Sequence, residues 1–187
     1  TIFGNGNMGG AIAGVLARGG ASIQHIVSGD TDATIEGDLV VIAVPYGALE
    51  TIAATYGEQL TGKTVVDITN PLNFETFDSL VVPVGSSAAA ELQKALPGAR
   101  VLKAFNTNFA ATLAAGTVGT EKTTVLVAGD DADAKAALIN AVTAGGLAAL
   151  DAGALARAHE LEAIGFLQLT LAASEKTSWT AGFAVVR

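Results

Sequence analysis

The chain predicts a doubly wound α/β fold: a mostly parallel sheet with helices on both faces. Three observations carry this. Strand-like and helix-like segments alternate along nearly the whole length, the pattern of successive βαβ units. One strand candidate, Leu39-Val40-Val41-Ile42-Ala43-Val44, is apolar at every position, as a strand covered on both faces must be. Glycines at 4, 6 and 9 stand between a short apolar lead, Ile2-Phe3, and an alanine-rich segment over 11–16. That is where a strand turns into a helix in a dinucleotide-binding unit. The expected architecture is therefore Rossmann-like. It is a single domain over residues 1–187, with a nucleotide-binding core over about 1–150 and a C-terminal helix and strand over 151–187.

Each element has its own local reason. Residues 2–3 open the first strand; the segment is shorter than a usual strand, and residues upstream of Thr1 are expected to complete it. Gly4 allows a tight turn, Gly6 lets a diphosphate approach the backbone because it has no Cβ, and Gly9 lets the new helix lie close on its strand. Free N–H groups and the positive end of the helix dipole then face the anion. Gly4, Asn5, Gly6, Asn7, Met8 and Gly9 are accordingly candidate cofactor-binding residues. A helix over 8–18 ends at Gly19-Gly20, and a second strand over 22–28 completes a unit of about 30 residues. Segment 29–37 is short and polar and leaves no room for a second helix. Pro45 ends the 39–44 strand, a helix follows over 48–60, and a fourth strand over 63–68 runs into the loop 69–73.

After an irregular stretch, Ser86-Ser87 cap a helix reaching Leu96, which Pro97-Gly98 stops. Strands follow at 101–105 and 123–128; Asp130-Asp131 then open a helix to Val142, and 147–150 is a short seventh strand. A long helix over 152–176 carries Leu155, Ala158, Leu161, Ile164, Leu167 and Leu171 on one face. Residues 183–186 read as a last strand.

Composition narrows the function. Of 187 residues, 50% are hydrophobic and 15% charged, enough to bury a real core. A net charge of −8, with ten scattered basic residues, argues against a nucleic-acid surface. Cysteine is absent, so there is no disulfide, thiolate nucleophile or Cys-ligated metal, and His25 and His159 are too few for a multi-histidine zinc site. The longest uncharged apolar stretch, 136–150, is broken by Gly145-Gly146 and too short for a bilayer. The chain opens directly on strand and glycine turn, without a signal-peptide pattern. The expectation is a soluble cytoplasmic protein with neither membrane nor nucleic acid as partner.

In such sheets ligands lie beyond the carboxyl ends of the strands. Here those ends are Gly4–Gly9, 28–30, Val44-Pro45-Tyr46, Thr69-Asn70-Pro71 and Phe105-Asn106-Thr107, which together define one crevice. Four segments in order, Gly4-Asn5-Gly6-Asn7-Met8-Gly9, Ala43-Val44-Pro45, Asp67-Ile68-Thr69-Asn70-Pro71-Leu72 and Lys103-Ala104-Phe105-Asn106-Thr107, resemble the coenzyme F420-dependent NADP oxidoreductase family. The nucleotide domain of that family is similar to that of the STEAP metalloreductases. The resemblance runs from the first glycine to the long C-terminal helix. It implies an NADP(H)-dependent oxidoreductase exchanging hydride with a flavin or deazaflavin ring, F420, FMN or another flavin. By the same likeness Val44, Pro45, Asn70, Pro71, Ala104, Phe105 and Asn106 frame the nicotinamide and acceptor, and Tyr46, next in the same crevice loop, is a further candidate cofactor-binding residue.

The chain departs from the family at two places. Members typically follow the second strand with Thr/Ser and Arg residues that hold the 2′-phosphate; here the place is Ser28-Gly29-Asp30, and no Lys or Arg occurs between Arg18 and Lys63. Ser28, His25 and Arg18 remain as partners for a 2′-phosphate, while Asp30 is placed to accept a ribose 2′-OH, as in NAD(H) enzymes. NADP(H) stands ahead on the resemblance, with NAD(H) the alternative. The missing helix after the second strand is the other departure.

Plainer roles stand beside these. Asn70-Pro71 also suits a simple turn, Lys103 a shielded strand edge, His25 a structural position and His159 a solvated or interface one. Tyr46 suits either ring stacking or a helix start, Phe105 either packing or cofactor contact, and Trp179 with Phe183 a buried or subunit contact. Asp67 is expected to bind backbone donors. Hydride transfer between two bound rings asks for proximity and exclusion of water rather than a general acid or base, and no catalytic side chain or metal ligand is assigned. Two rival readings are a non-catalytic NAD(P)H sensor and a β-hydroxyacid or pyrroline-carboxylate reductase, whose separate helical domain finds no room here. F420 carries an acidic tail and the chain is acidic, so FMN, riboflavin or a quinone stay open as acceptor. The long C-terminal helix suggests a homodimer.

Overall fold

The computed structural model describes residues 1–186. The chain runs β1 (Ile2–Phe3), α1 (Asn7–Arg18), β2 (His25–Ile26), β3 (Leu39–Ile42), α2 (Leu49–Leu60), β4 (Thr64–Asp67), α3 (Ala88–Ala95), β5 (Arg100–Lys103). It continues α4 (Ala110–Ala115), β6 (Thr117–Val118), β7 (Glu121–Lys122), β8 (Thr124–Gly129), α5 (Ala132–Ala144), β9 (Ala148–Gly153) and α6 (Ala158–Ala173). Seven strands form one sheet in the order β2-β1-β3-β4-β5-β8-β9. All neighbours are parallel except β5 and β8. The chain leaves β1 toward β2 and then returns to the other side of β1 as β3, so the order reverses at the β1/β3 boundary. A crevice opens at that reversal in sheets of this kind.

Alternate residues of the central strands feed two cores. Val40, Ile42, Val65 and Val101 point to the side covered by α2 and α3. Val41, Val66 and Leu102 point to the side covered by α1 and α5. These strands are apolar at every step because both faces are covered. Helix boundaries follow the expected capping chemistry. Ser87 Oγ accepts from Ala90 N at 3.0 Å and opens α3, and Asp131 Oδ1 accepts from Ala134 N at 2.8 Å and opens α5. Gly20, at φ +92°, lets the chain turn away after α1.

Five sequence expectations are corrected. The second strand shrinks to His25–Ile26, because it pairs with β1 alone and β1 is two residues long. Strand β9 runs on to Gly153 and a 3₁₀ turn, Leu155–Arg157, follows, so the last helix begins at Ala158 rather than 152. It ends at Ala173, where Glu175 takes a left-handed φ of +58° and Lys176 N bonds back to Leu171 O. Residues 183–186 form no strand; Phe183 N instead donates to Gln168 Oε1 at 3.3 Å, tying the tail to α6. Between β5 and β8 lie a six-residue helix, α4, and the β6–β7 hairpin, neither of which periodicity signalled. With no long crossover helix in that link, the chain returns antiparallel.

Candidate functional site

The glycine loop is built for a close backbone approach. Gly4 has φ +91°, and a Cβ there would collide with Ala43 O; a Cβ on Gly9 would lie 2.6 Å from Gly4 O. Both glycines are thus required by packing between the β1 turn, α1 and the loop after β3. Gly6 is different: a Cβ would meet nothing within 4 Å, so its backbone faces open space. Gly6 caps α1 without any side-chain hydrogen bond, and no acidic residue occupies the first turn. The positive end of α1 is left for an anion.

Two clefts meet at this loop. One, of about 600 Å³, runs from Gly4, Asn5 and Gly6 over Val44 and Pro45 to Ser28, just beyond β2. The other, of about 900 Å³, runs from Asn5, Gly6, Asn7 and Met8 toward Phe109 and Trp179. Asn5 and Gly6 line both. Trp179 leans on Phe109 with ring centroids 5.2 Å apart, so the C-terminal tail forms one wall of the second cleft.

Beneath the strand ends lies a buried ionic network. Asp67 and Lys103 sit opposite one another in the parallel β4/β5 register, and both side chains are fully buried. Lys103 Nζ lies 2.8 Å from Asp67 Oδ2 and 2.8 Å from Glu162 Oε1 on α6, and donates to Thr69 O. Asp67 Oδ1 accepts from Thr69 N at 2.8 Å, and Glu162 Oε2 accepts from Ala88 N, at the start of α3, at 2.9 Å. Burial pushes the Glu162 carboxyl above its ordinary value, against the pull of Lys103 and the Ala88 N–H. The network clamps the Thr69-Asn70-Pro71 loop to α3 and α6. Lys103 is therefore not shielding an edge, because β5 is an interior strand and its ammonium is spent on two carboxylates.

Above it, Asn70 and Asn106 pair. Asn106 Nδ2 donates to Asn70 Oδ1 at 2.9 Å and to Leu161 O at 2.8 Å, and Asn70 Nδ2 donates to Asn106 O at 2.9 Å. Gly165 of α6 makes room for this pair, since a Cβ there would lie 2.8 Å from Asn70 Cγ. Thr69 Oγ1, Asn106 Oδ1 and Asn108 Oδ1 are buried atoms without a hydrogen-bond partner among the described residues. Asn108 lines the second cleft. Orphaned polar atoms at the strand ends suit a polar ligand.

The expected site residues divide accordingly. Gly4, Asn5, Gly6, Ser28, Val44 and Pro45 line the first cleft, Asn7 and Met8 the second, and Gly9 is the packing glycine of the loop. Asn70 and Asn106 meet each other, and Pro71 is buried. Ala104 and Phe105 are fully buried in the core cluster on the α1 face. Phe105 has φ +63°, a costly backbone state for a non-glycine residue at the mouth of β5. Tyr46 lies outside both clefts and lines a groove between α2 and α3 with Pro83 and Glu91; burial and nearby carboxylates push its phenol up. Asp67 binds the Thr69 N–H, as expected of it, and Lys103 besides.

At the far end, Arg18 Nε donates to Gly145 O at 3.2 Å, which removes it from the cleft. His25 Nδ1 lies 3.0 Å from Gly4 O, a structural contact, and His159 Nδ1 lies 3.0 Å from Ser86 O. Sequence reasoning missed Glu162 and the Phe109–Trp179 wall. The first had a faint signal: in the strands 64–67 and 100–103 an apolar pair, Val65-Val66 or Val101-Leu102, runs into charges of opposite sign, Asp67 and Lys103. Among the described residues no group of carboxylates and histidines forms a metal site, and no helix is long and apolar enough to cross a membrane.

No family model matches the chain. It is similar to the F420-dependent NADP reductase of Methanocaldococcus jannaschii, 30% identical over 170 residues, 89% of this chain and 76% of that protein. It is also similar to the metalloreductase STEAP3 of Rattus norvegicus, 37% identical over 107 residues, 57% of this chain but 21% of that protein. Among solved structures, one from Arthrobacter sp. FB24 named as an F420-dependent NADP reductase has a TM-score of 0.83 at 24% identity. It covers 100% of this chain and 98% of its own. That last likeness shows the fold.

Proposed function

The chain belongs to the F420-dependent NADP reductase family, and we propose that, as an oxidoreductase of that family, it passes hydride between the nicotinamide of a pyridine dinucleotide and a flavin-like acceptor. F420 is the redox partner of NADP in the family's name, and FMN or another flavin shares its flat, fused-ring chemistry. The carrying observation is the loop at Gly6: open space above the backbone at an uncapped helix start, with a cleft on either side. A diphosphate on that loop leads the adenosine half into the first cleft and the nicotinamide half toward the second. Nothing in the diphosphate cradle separates NADP(H) from NAD(H); that choice lies at the ribose end.

The bound rings supply the hydride chemistry themselves. The residues of this chain hold and orient. Gly4 and Gly9 keep the loop open, the Lys103 network fixes the 69–71 loop, and Asn70 and Asn106 hold that loop against α6. Met8, Phe109 and Trp179 supply apolar surface that excludes water beside the strand ends. We further propose a homodimer, supported by Ile164 and Leu167 of α6, large apolar side chains left exposed.

The test is titration with NADPH and NADH by calorimetry, followed by an acceptor screen with F420, FMN, riboflavin and a quinone under the preferred coenzyme. Saturable uptake and turnover of one ring acceptor is the expected result. Failure to take up either coenzyme would remove the proposal, and uptake without any turnover would leave a nucleotide sensor instead.

A further inference from the structure

NADP differs from NAD by a 2′-phosphate, which brings close to two negative charges to the ribose at the end of the second strand. Holding that group takes a cation or several N–H donors. Among the described residues the first cleft offers no such cation. Asp30 is the one charged side chain among the described residues that line it. The nearest cations in sequence point elsewhere. Arg18 is spent on Gly145 O at the other end of α1 from the glycine loop. Lys63 precedes β4, at the end of the strands opposite the crevice, and donates to Gly37 O at 2.9 Å while facing Asp38 at 3.4 Å. His25 does not line the cleft.

Asp30 is also held in place. Its Oδ2 accepts from Val27 N at 2.9 Å, and its own N–H donates to Val27 O at 3.0 Å. Its carbonyl accepts from the Tyr56 hydroxyl and from Ala33 N. The carboxylate is thus pinned at the rim of the cleft, just beyond β2, and among the described residues Oδ1 has no hydrogen-bond partner. The same cleft is lined by Ser28, Thr31, Thr51 and Thr55, hydroxyl residues that suit sugar and base edges but bring no positive charge. A free carboxylate oxygen there accepts from ribose hydroxyls. It repels a phosphate in the same position.

We infer that this chain takes NAD(H) in preference to NADP(H), departing from its family's name, and that Asp30 is the residue that sets the preference. The inference rests on the reading of the glycine loop as a dinucleotide site. The experiment is calorimetric titration of the full chain with NADH and NADPH, and with 5′-AMP and 2′,5′-ADP, a pair that differs by the 2′-phosphate alone. The same series is run on Asp30→Asn, which keeps an oxygen for the Val27 N–H and removes the charge; a thermal melt confirms that it folds.

The expected result is that NADH and 5′-AMP bind at least about tenfold more tightly than their 2′-phosphorylated counterparts. Asp30→Asn should narrow both gaps, mostly by improving the phosphorylated ligand. Tighter binding of NADPH than NADH by the unsubstituted chain, or gaps that Asp30→Asn leaves unchanged, would overturn the inference and leave the dinucleotide site standing. Uptake of none of the four ligands would remove the site and the inference together.

Discussion

Lys103 shows how a single residue ties sequence to site. An ammonium at the centre of a sheet is tolerable because Asp67 lies opposite in register and Glu162 reaches it from α6, both at 2.8 Å. Removing one member of a buried set leaves the others uncompensated, which costs more than the set contributes. Lys103→Met is therefore expected to lose about 3–5 kcal/mol of unfolding free energy in urea titrations, although methionine fits an apolar sheet. Gly6→Val has the opposite profile. Its Cβ would meet nothing in the protein and its φ is −68°, so stability should change by less than about 1 kcal/mol. The side chain would fill the space above the loop, and dinucleotide binding should fall by at least about tenfold. A Gly6→Val variant that folds and binds normally would show that the ligand does not lie on this loop.

Among the elements, α6 does the most to organise the strand ends, because its Leu161 carbonyl, Glu162 carboxylate and Gly165 gap all face them. Burial raises the pKa of Glu162 above its ordinary value. The folded state thus holds that proton more tightly than the unfolded chain does, and the contribution to stability is full below the ordinary glutamate range and lost as pH rises through the folded value. Against Glu162→Gln, which does not titrate, the melting temperature of the unsubstituted protein should fall steadily from acid toward neutral pH; a constant difference would contradict the assignment. Ser87→Ala, which removes the cap of α3, is expected to cost about 1 kcal/mol in the same assay.

The elements visible in the sequence were those with local causes: the glycine turn, the all-apolar strand at 39–42, and the helices opened by Ser87 and Asp131. Helix α4 is six residues long and has no room to show a period. Residues 183–186 look strand-like because Phe and Val favour strands, yet the segment is tied to α6 through Phe183 N and Gln168 Oε1 rather than paired with a strand. The loop and the first cleft were readable because glycine spacing is a backbone matter. Glu162 was not, since its partner lies on another element and helical periodicity cannot show that a polar residue on a helix faces a buried cation.

For the whole molecule, the proposed site is a seam between two clefts, so ligand and tertiary structure should be coupled. A dinucleotide that binds the folded state alone stabilises it by about 2.7 kcal/mol at a hundredfold excess over Kd, visible as a rise in melting temperature absent in Gly6→Val. The outer surface of α6 bears on assembly. That helix is apolar on nearly every side; its inner residues are accounted for by the strand ends, while Leu167 remains 52% exposed and Ile164 37%. Apolar side chains at three-residue spacing form a stripe along the helix, which a second copy of the same stripe can cover about a two-fold axis. Leu167→Lys places a charge in the middle of that stripe without touching the Asn70 or Lys103 networks on the opposite side. In sedimentation velocity the unsubstituted chain is expected to run as a dimer and Leu167→Lys as a monomer, with coenzyme affinity retained because both clefts are built within one chain. If the unsubstituted chain sediments as a monomer at all concentrations, the dimer is wrong; if Leu167→Lys remains a dimer, the contact lies on another face.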